Sequence, residues 1–235
     1  MNENFTNRIE NLKSKSLELD RSSFFRNKVT YEKFAQLIEN DKKISALIIG
    51  LANLEEPLVC LATYYHNKGS FGGLDLELYD IREKNEFVQL LDQEDTFSLG
   101  NDIFTKKPRQ PLDYSKNAFT QNESNQYTFN QEIRDKLNEV IETKSNFEIS
   151  IENQNELDNI GFSNKKYIFI SCNNVLQYID KKNLSNTIDR LLNQVALDGI
   201  ISLRTDALDD KIRLYIKENR KDFEKISKGV YKKIS

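Results

Sequence analysis

The sequence predicts an α/β fold in which helices cover both faces of a mostly parallel, doubly wound sheet. Segments with strand and helix patterns alternate along the chain with short connections, which is typical of that fold class. Residues 44–49 form an almost continuous apolar run that Gly50 ends, as expected for a parallel strand buried on both faces. A chain of 235 residues is long enough for one such domain.

The predicted elements begin with two helical segments. Residues 2–19 carry a weak helical pattern, and residues 31–40 predict a helix with Thr30 as its cap. Farther along the chain, helices are predicted over residues 56–65, 81–91, 131–141 and 184–195, and strands over residues 74–79, 147–151, 167–172 and 200–203.

Two further regions of the chain complete the prediction. Residues 92–130 are polar and rich in turn residues, and we interpret them as an insertion. The helix that starts at residue 184 is expected to stop at Asp198-Gly199, before the next strand. We expect the chain to consist of a short N-terminal helical segment, residues 1–42, and a main domain, residues 43–235, that contains the insertion.

Composition argues against several classes of function. The formal net charge is -3, so no basic field gathers nucleic acid, and the Lys-rich stretch 211–233 is interpreted as a solvated helix face. His66 is the only histidine, and Cys60 and Cys172 are the only cysteines. This set predicts neither a disulfide framework nor a metal site, and we interpret His66 as a cap at a helix end.

Hydropathy gives an expectation about location. No apolar run approaches the length of a membrane span, about 18 residues, and residues 1–20 lack the pattern of a signal peptide. The sequence therefore predicts a cytoplasmic protein with no membrane insertion.

Three predicted strand ends carry residues that suit a ligand site, because ligands of such sheets bind at the carboxyl ends of the strands. Gly50 lets a ligand approach the backbone, and the nearby Glu55 or Glu56 can receive an ammonium group. Asp80 ends the next strand, where a carboxylate can accept hydrogen bonds from ribose hydroxyls. Asn173 follows a later strand. Each position also has an ordinary structural interpretation, as a turn or a helix cap.

Several motifs then occur in one order along the chain: Ser22-Ser23-Phe24-Phe25-Arg26, Gly50 to Pro57, Leu78-Tyr79-Asp80-Ile81, Cys172 to Asp180, and Gly229-Val230-Tyr231-Lys232-Lys233. The most specific is Cys-Asn-Asn-Val-Leu-Gln-Tyr-Ile-Asp at residues 172–180, which is similar to Cys-Arg-Asn-Val-Leu-Ile-Tyr-Phe-Asp. As an ordered set, the motifs resemble the CheR-type chemotaxis receptor methyltransferases, a family with a Rossmann-like class I methyltransferase fold.

The resemblance implies a function and a partner. It indicates S-adenosyl-L-methionine as the methyl donor and carboxyl O-methylation of protein glutamates in chemotaxis-like signalling as the activity. The implied protein substrate is the cytoplasmic domain of a chemoreceptor.

The resemblance also implies roles for individual residues. Arg26 lies beside the donor and orients the acceptor carboxylate, and Tyr178 lies close to the transferring methyl group. Glu56 holds the donor's ammonium group, and Asp80 binds its ribose hydroxyls. The remaining donor-binding positions are Asp20 and Ser22 at the methionine end, Gly50 in the loop after the first strand, Asn153 and Gln154 beside the adenine, and Cys172 and Asn173 near the sulfonium.

These residue types suit methyl transfer. A sulfonium is already an activated electrophile and a glutamate carboxylate is ionised at neutral pH, so the enzyme contributes mainly alignment and electrostatics. An arginine that binds a carboxylate through two N–H groups provides that alignment. The reaction therefore needs no histidine base.

The chain also departs from the family pattern. Leu54 replaces the second glycine of the loop, and Asn173 replaces the arginine after the cysteine. We expect the Leu54 side chain to turn into the core beneath Leu51 and Val59; the alternative is that it fills the space that the donor would use. The alternative function is a catalytically lapsed relative that serves as a binding or scaffold module, and a methyltransferase with a small-molecule acceptor is a third.

Overall fold

The computed structural model describes residues 27–40, 43–51, 54–80, 84–92, 99, 107, 110–146, 165–179, 181–205 and 208–235. The helix predicted over residues 2–19 and the strand predicted over residues 147–151 lie outside the described residues.

Six helices and nine strands are formed by the described residues. The helices are α1 (Lys28–Asn40), α2 (Glu55–Lys68), α3 (Lys84–Asp92), α4 (Gln131–Thr143), α5 (Leu184–Asn193) and α6 (Asp209–Asn219). The strands are β1 (Ile44–Ile49), β2 (Leu74–Tyr79), β3 (Phe119–Gln121), β4 (Tyr127–Phe129), β5 (Ser145–Asn146), β6 (Tyr167–Ser171), β7 (Val195–Ser202), β8 (Phe223–Ser227) and β9 (Val230–Lys233).

The main sheet has the strand order β5-β2-β1-β6-β7-β9-β8. The strands from β5 to β7 are parallel, and β9 runs antiparallel to both β7 and β8. The chain builds outward from β1 through β2 to β5, then returns to the other side of β1 to place β6 and β7. This order confirms the predicted α/β fold and puts the topological switch point between β1 and β6.

Strand β1 lies at the centre of the core and is buried on both faces. Ala46 and Ile48 belong to a cluster that packs against α1, α2 and α4. Leu47 and Ile49 belong to a second cluster on the opposite face, which includes apolar side chains of α5 and α6. This two-sided burial explains the almost continuous apolar sequence of the strand.

The Thr30 prediction was wrong, because this residue lies inside α1 and does not cap it. Its side chain is buried, and its Oγ1 lies 2.9 Å from Ser202 Oγ, at the end of β7. A buried hydroxyl requires a partner, so Thr30 ties α1 to the sheet.

The boundary predicted after α5 was also wrong. The helix ends at Asn193, and β7 already starts at Val195, so Asp198 and Gly199 lie inside the strand. Asp198 has a φ of 63°, and the pairing between β6 and β7 shifts register there. An irregularity of this kind adds residues to one strand without ending it.

The Lys-rich stretch over residues 211–233 forms more than the helix face that was predicted. It contains most of α6, followed by the antiparallel pair β8 and β9.

The residues between 110 and 130, which had no assigned pattern, include the separate hairpin of β3 and β4.

His66 lies in the last turn of α2 without capping it. Its Nδ1 accepts a hydrogen bond from the Asn117 N–H at 3.1 Å. The cap is Gly69, with a φ of 68° and an N–H that donates to the Tyr65 carbonyl at 2.8 Å. Burial and the nearby Lys116 lower the pKa of His66.

Among the helices that the structure describes, none is both long and apolar enough to cross a membrane.

Candidate functional site

Polar side chains gather where the parallel strands end, around the switch point between β1 and β6. Glu56 lies in the first turn of α2, which follows β1. Asp80 follows β2, Asn173 follows β6, and Ser202 is the last residue of β7. Because parallel strands end at one edge of the sheet, these side chains share one region.

The loop after β1 is shaped by Gly50 and Asp80. Gly50 has a φ of 77°, and a Cβ placed on it would lie 2.3 Å from Val175 Cγ2. A larger residue at this position is therefore disfavoured by the backbone conformation and would require Val175 to move. Asp80 is 6% exposed, and its Oδ2 accepts a hydrogen bond from the Leu51 N–H at 2.7 Å, which fixes the loop to the end of β2.

The carboxylate of Glu56 is held by neutral donors. Oε2 accepts hydrogen bonds from the Tyr31 hydroxyl, from Ser171 Oγ at 2.9 Å and from Asn173 Nδ2 at 3.3 Å. Oε1 accepts one from Asn27 Nδ2. Glu56 thus joins α1 and β6 to the start of α2, across the switch point.

A buried chain of hydrogen bonds supports this carboxylate from the sheet. Ser202 Oγ donates to Asn173 Oδ1 at 2.6 Å, and Asn173 Nδ2 donates to Ser171 Oγ at 2.9 Å. A hydroxyl has one proton to donate, so Thr30 must be the donor in its bond to Ser202. All bonds of the chain then point the same way, from α1 through β7 and β6 to Glu56, an arrangement in which each bond polarises the next.

Asn27 and Tyr31 are site residues that the sequence analysis did not identify. Tyr31 is 2% exposed, and its hydroxyl also approaches the Glu56 carbonyl oxygen at 2.9 Å. Burial, together with the Glu56 carboxylate, raises the pKa of Tyr31 well above its usual value. Asn27 is 5% exposed, and none of the described residues gives its Oδ1 a hydrogen bond.

Cys172 and Tyr178 lie near the end of β6 in different surroundings. Cys172 is fully buried, and burial raises the pKa of its thiol to about 12, so the side chain is a neutral part of the core. Tyr178 is half-buried, and its hydroxyl accepts a hydrogen bond from Gln177 Nε2 at 2.8 Å. Gln177 Oε1 in turn accepts from the Thr205 hydroxyl at 3.3 Å.

Leu54 takes the position expected from the sequence. Its side chain is fully buried in the same cluster as Leu51 and Val59. Its φ of 68° lies in the left-handed region that favours glycine. The backbone conformation of a glycine is therefore kept, and the added side chain is accommodated by the core.

Five of the predicted site residues, Asp20, Ser22, Arg26, Asn153 and Gln154, lie outside the described residues. The structure brings together Gly50, Glu56, Asp80 and Asn173, while Cys172 contributes a buried thiol next to them. Within the part of the chain that the structure describes, no group of His, Cys, Asp and Glu side chains could hold a metal ion.

No protein-family model matches the chain, and no curated protein matches it by sequence. Solved structures that are similar to it include the following two. The MNMC2 protein from Aquifex aeolicus aligns with 12% identity and a TM-score of 0.46, covering 86% of this chain and 56% of that chain. An O-methyltransferase family protein from Burkholderia thailandensis aligns with 10% identity and a TM-score of 0.39, covering 87% of this chain and 56% of that chain.

The chain thus spans little more than half the length of these two structures. Membership of the CheR-type family stays a prediction from the sequence motifs, and a function has to be argued from the chain's own residues.

Proposed function

We propose that this protein is an S-adenosyl-L-methionine-dependent methyltransferase that acts in the cytoplasm. The observation that carries the proposal is the convergence of Glu56, Asp80 and Asn173 at the carboxyl edge of the sheet, at its switch point. Open α/β sheets bind their nucleotide ligands there.

The site residues fit the two ends of the donor. Asp80 is a carboxylate directly after β2. In nucleotide-binding sheets, a carboxylate at this position accepts hydrogen bonds from ribose hydroxyls. Glu56 is a carboxylate without a cationic partner among the described residues, and it suits the donor's ammonium group.

The proposed reaction is carboxyl O-methylation of protein glutamates, with the cytoplasmic domain of a chemoreceptor as the substrate. The donor, when bound, supplies an activated methyl group. The residues of the chain then have to align the acceptor carboxylate with that methyl group and exclude water. Arg26 is proposed for the alignment. Tyr178, whose hydroxyl is already oriented by Gln177, is proposed to flank the methyl group.

A binding module without catalysis is the second candidate. One observation favours it: the protein's own side chains donate four hydrogen bonds to the Glu56 carboxylate. Transfer of a labelled methyl group into base-labile esters separates the two candidates, because a module binds the donor without transfer.

The proposal is tested by calorimetric titration with S-adenosylhomocysteine, the product form of the donor. Wild type should bind, and Asp80→Ala should bind at least about tenfold more weakly, because hydrogen bonds to a charged group contribute about 1.5–3 kcal/mol each. Asp80→Asn keeps an acceptor for the Leu51 N–H, so it separates loss of the ligand contact from disorder of the loop.

Asp75→Asn is the matched control, since Asp75 lies on the same strand and pairs with Lys144 and Lys165 at the other end of β2. Its affinity should equal that of wild type. A folded wild-type protein that does not bind would refute the proposed function. Equal affinity of Asp80→Ala and wild type would refute only the role of Asp80.

A further inference from the structure

We propose that Asn27 is a donor-binding residue, whose Oδ1 accepts a hydrogen bond from the ammonium group of the donor together with Glu56 Oε1. This inference rests on the proposed function and adds a residue from α1's N-terminal side to the site.

The first observation is an unsatisfied acceptor. Asn27 is 5% exposed, and its Oδ1 has no hydrogen-bond partner within the described part of the chain. A buried amide oxygen without a donor costs free energy, and such atoms are rare in folded proteins. A bound ligand that donates to Oδ1 removes this cost.

The second observation is the orientation of the amide. Asn27 Nδ2 donates to Glu56 Oε1, and exchanging the two amide atoms would set an oxygen against a carboxylate oxygen. The contact therefore fixes which amide atom faces Glu56. Oδ1, which has no partner among the described residues, belongs to the same amide group as the Nδ2 that contacts Glu56.

The third observation is that the two carboxylate oxygens of Glu56 accept different numbers of hydrogen bonds. From the described residues, Oε2 accepts three hydrogen bonds and Oε1 accepts one, from Asn27. All four donors are neutral, so no cationic side chain among the described residues pairs with the carboxylate. As far as the described residues go, Oε1 and Asn27 Oδ1 can each accept a further hydrogen bond.

A primary ammonium group meets these requirements. It carries three N–H donors and a positive charge, so it can donate to both oxygens and neutralise the carboxylate. A neutral donor would satisfy the oxygens but leave the charge of Glu56 unpaired. The geometry therefore points to the amino-acid end of the donor.

The test compares two nucleosides in calorimetric titrations: S-adenosylhomocysteine and 5′-methylthioadenosine, which shares the adenosine and the sulfur but has no ammonium group. Asn27→Ala should weaken binding of S-adenosylhomocysteine by about tenfold, ~1.4 kcal/mol, and leave binding of 5′-methylthioadenosine unchanged. Asn27→Ser, which has no amide oxygen and a shorter side chain, should show the same selective loss if the alanine variant does not fold.

Ser171→Ala is the comparison variant, because it also removes one donor from Glu56 but no unpaired acceptor. If it lowers the preference for S-adenosylhomocysteine as much as Asn27→Ala does, Asn27 acts only by holding Glu56, and the proposal is overturned. An equal loss for both nucleosides in Asn27→Ala overturns it as well. If wild type binds neither nucleoside, the proposed function itself has failed.

Discussion

At the residue scale, Leu54 combines two properties that seldom occur together. Its φ of 68° is left-handed, which costs a branched residue about 1–2 kcal/mol. Its side chain is nevertheless fully buried, and burial of a leucine contributes about 1.5–3 kcal/mol. The core therefore offsets the backbone strain, and the loop keeps the shape that a glycine would give it.

Leu54→Gly tests this balance. The variant relieves the left-handed strain but loses a buried side chain, for which large-to-small substitutions cost about 2–5 kcal/mol. We expect the free energy of unfolding in urea to fall by about 1–3 kcal/mol. Affinity for S-adenosylhomocysteine should change little. A tenfold gain in affinity would instead mean that Leu54 occupies space that the donor uses.

At the scale of elements, β7 is an irregular strand whose first residues, 195–199, were not predicted as strand from the sequence. Its buried end, Ile200–Ser202, has the apolar pattern of a strand, but Leu197 is 61% exposed and Asp198-Gly199 is typical of a turn. The register shift against β6 accommodates these residues within the strand. Because Gly199 lies close to three carbonyl oxygens, the irregularity depends on this glycine.

Gly199→Ala should destabilise the protein. A Cβ at this position would lie 2.9–3.0 Å from the backbone oxygens of Tyr167, Ile168 and Ala196, and overpacking of this kind costs about 1–3 kcal/mol. Gly72→Ala is the matched control, because a Cβ there meets nothing within 4 Å. Urea unfolding curves should show a lower midpoint for the first variant and no loss for the second. Equal midpoints for both alanine variants would contradict the packing argument.

The apolar strands and amphipathic helices of the domain were predictable, because burial leaves a periodic pattern in the sequence. The site was predictable at Gly50, Asp80 and Asn173, which directly follow such strands. Asn27 and Tyr31 leave no local signal, since their partner Glu56 is 29 and 25 residues away. Ser171 and Ser202 are small polar residues at the ends of apolar strands, and this pattern could have indicated the buried hydrogen-bond chain from the sequence.

At the scale of the whole molecule, the site joins two halves of one sheet. Glu56 and Asp80 belong to the half built around β1 and β2, and Ser171 and Asn173 belong to the half that begins with β6. The proposed donor, bound at the switch point, would contact both halves and would be bound only by the folded chain. The proposed function therefore predicts that binding and folding are linked.

Saturating S-adenosylhomocysteine should stabilise the protein as a unit. A ligand at about 100 times its dissociation constant adds about 2.7 kcal/mol to the free energy of unfolding. The measurement is urea unfolding with and without the nucleoside. At the same ligand concentration, Asp80→Ala should gain clearly less than wild type. An equal gain in both proteins would place the binding site elsewhere.

The position of β9 has a consequence for biosynthesis. This strand follows β8 in sequence but lies between β7 and β8 in the sheet. While a ribosome is still making the preceding residues, β8 has no strand to pair with and the edge of β7 stays open. An open edge can pair with other chains, so a nascent chain halted before Val230–Lys233 is expected to aggregate although most of its core is already made.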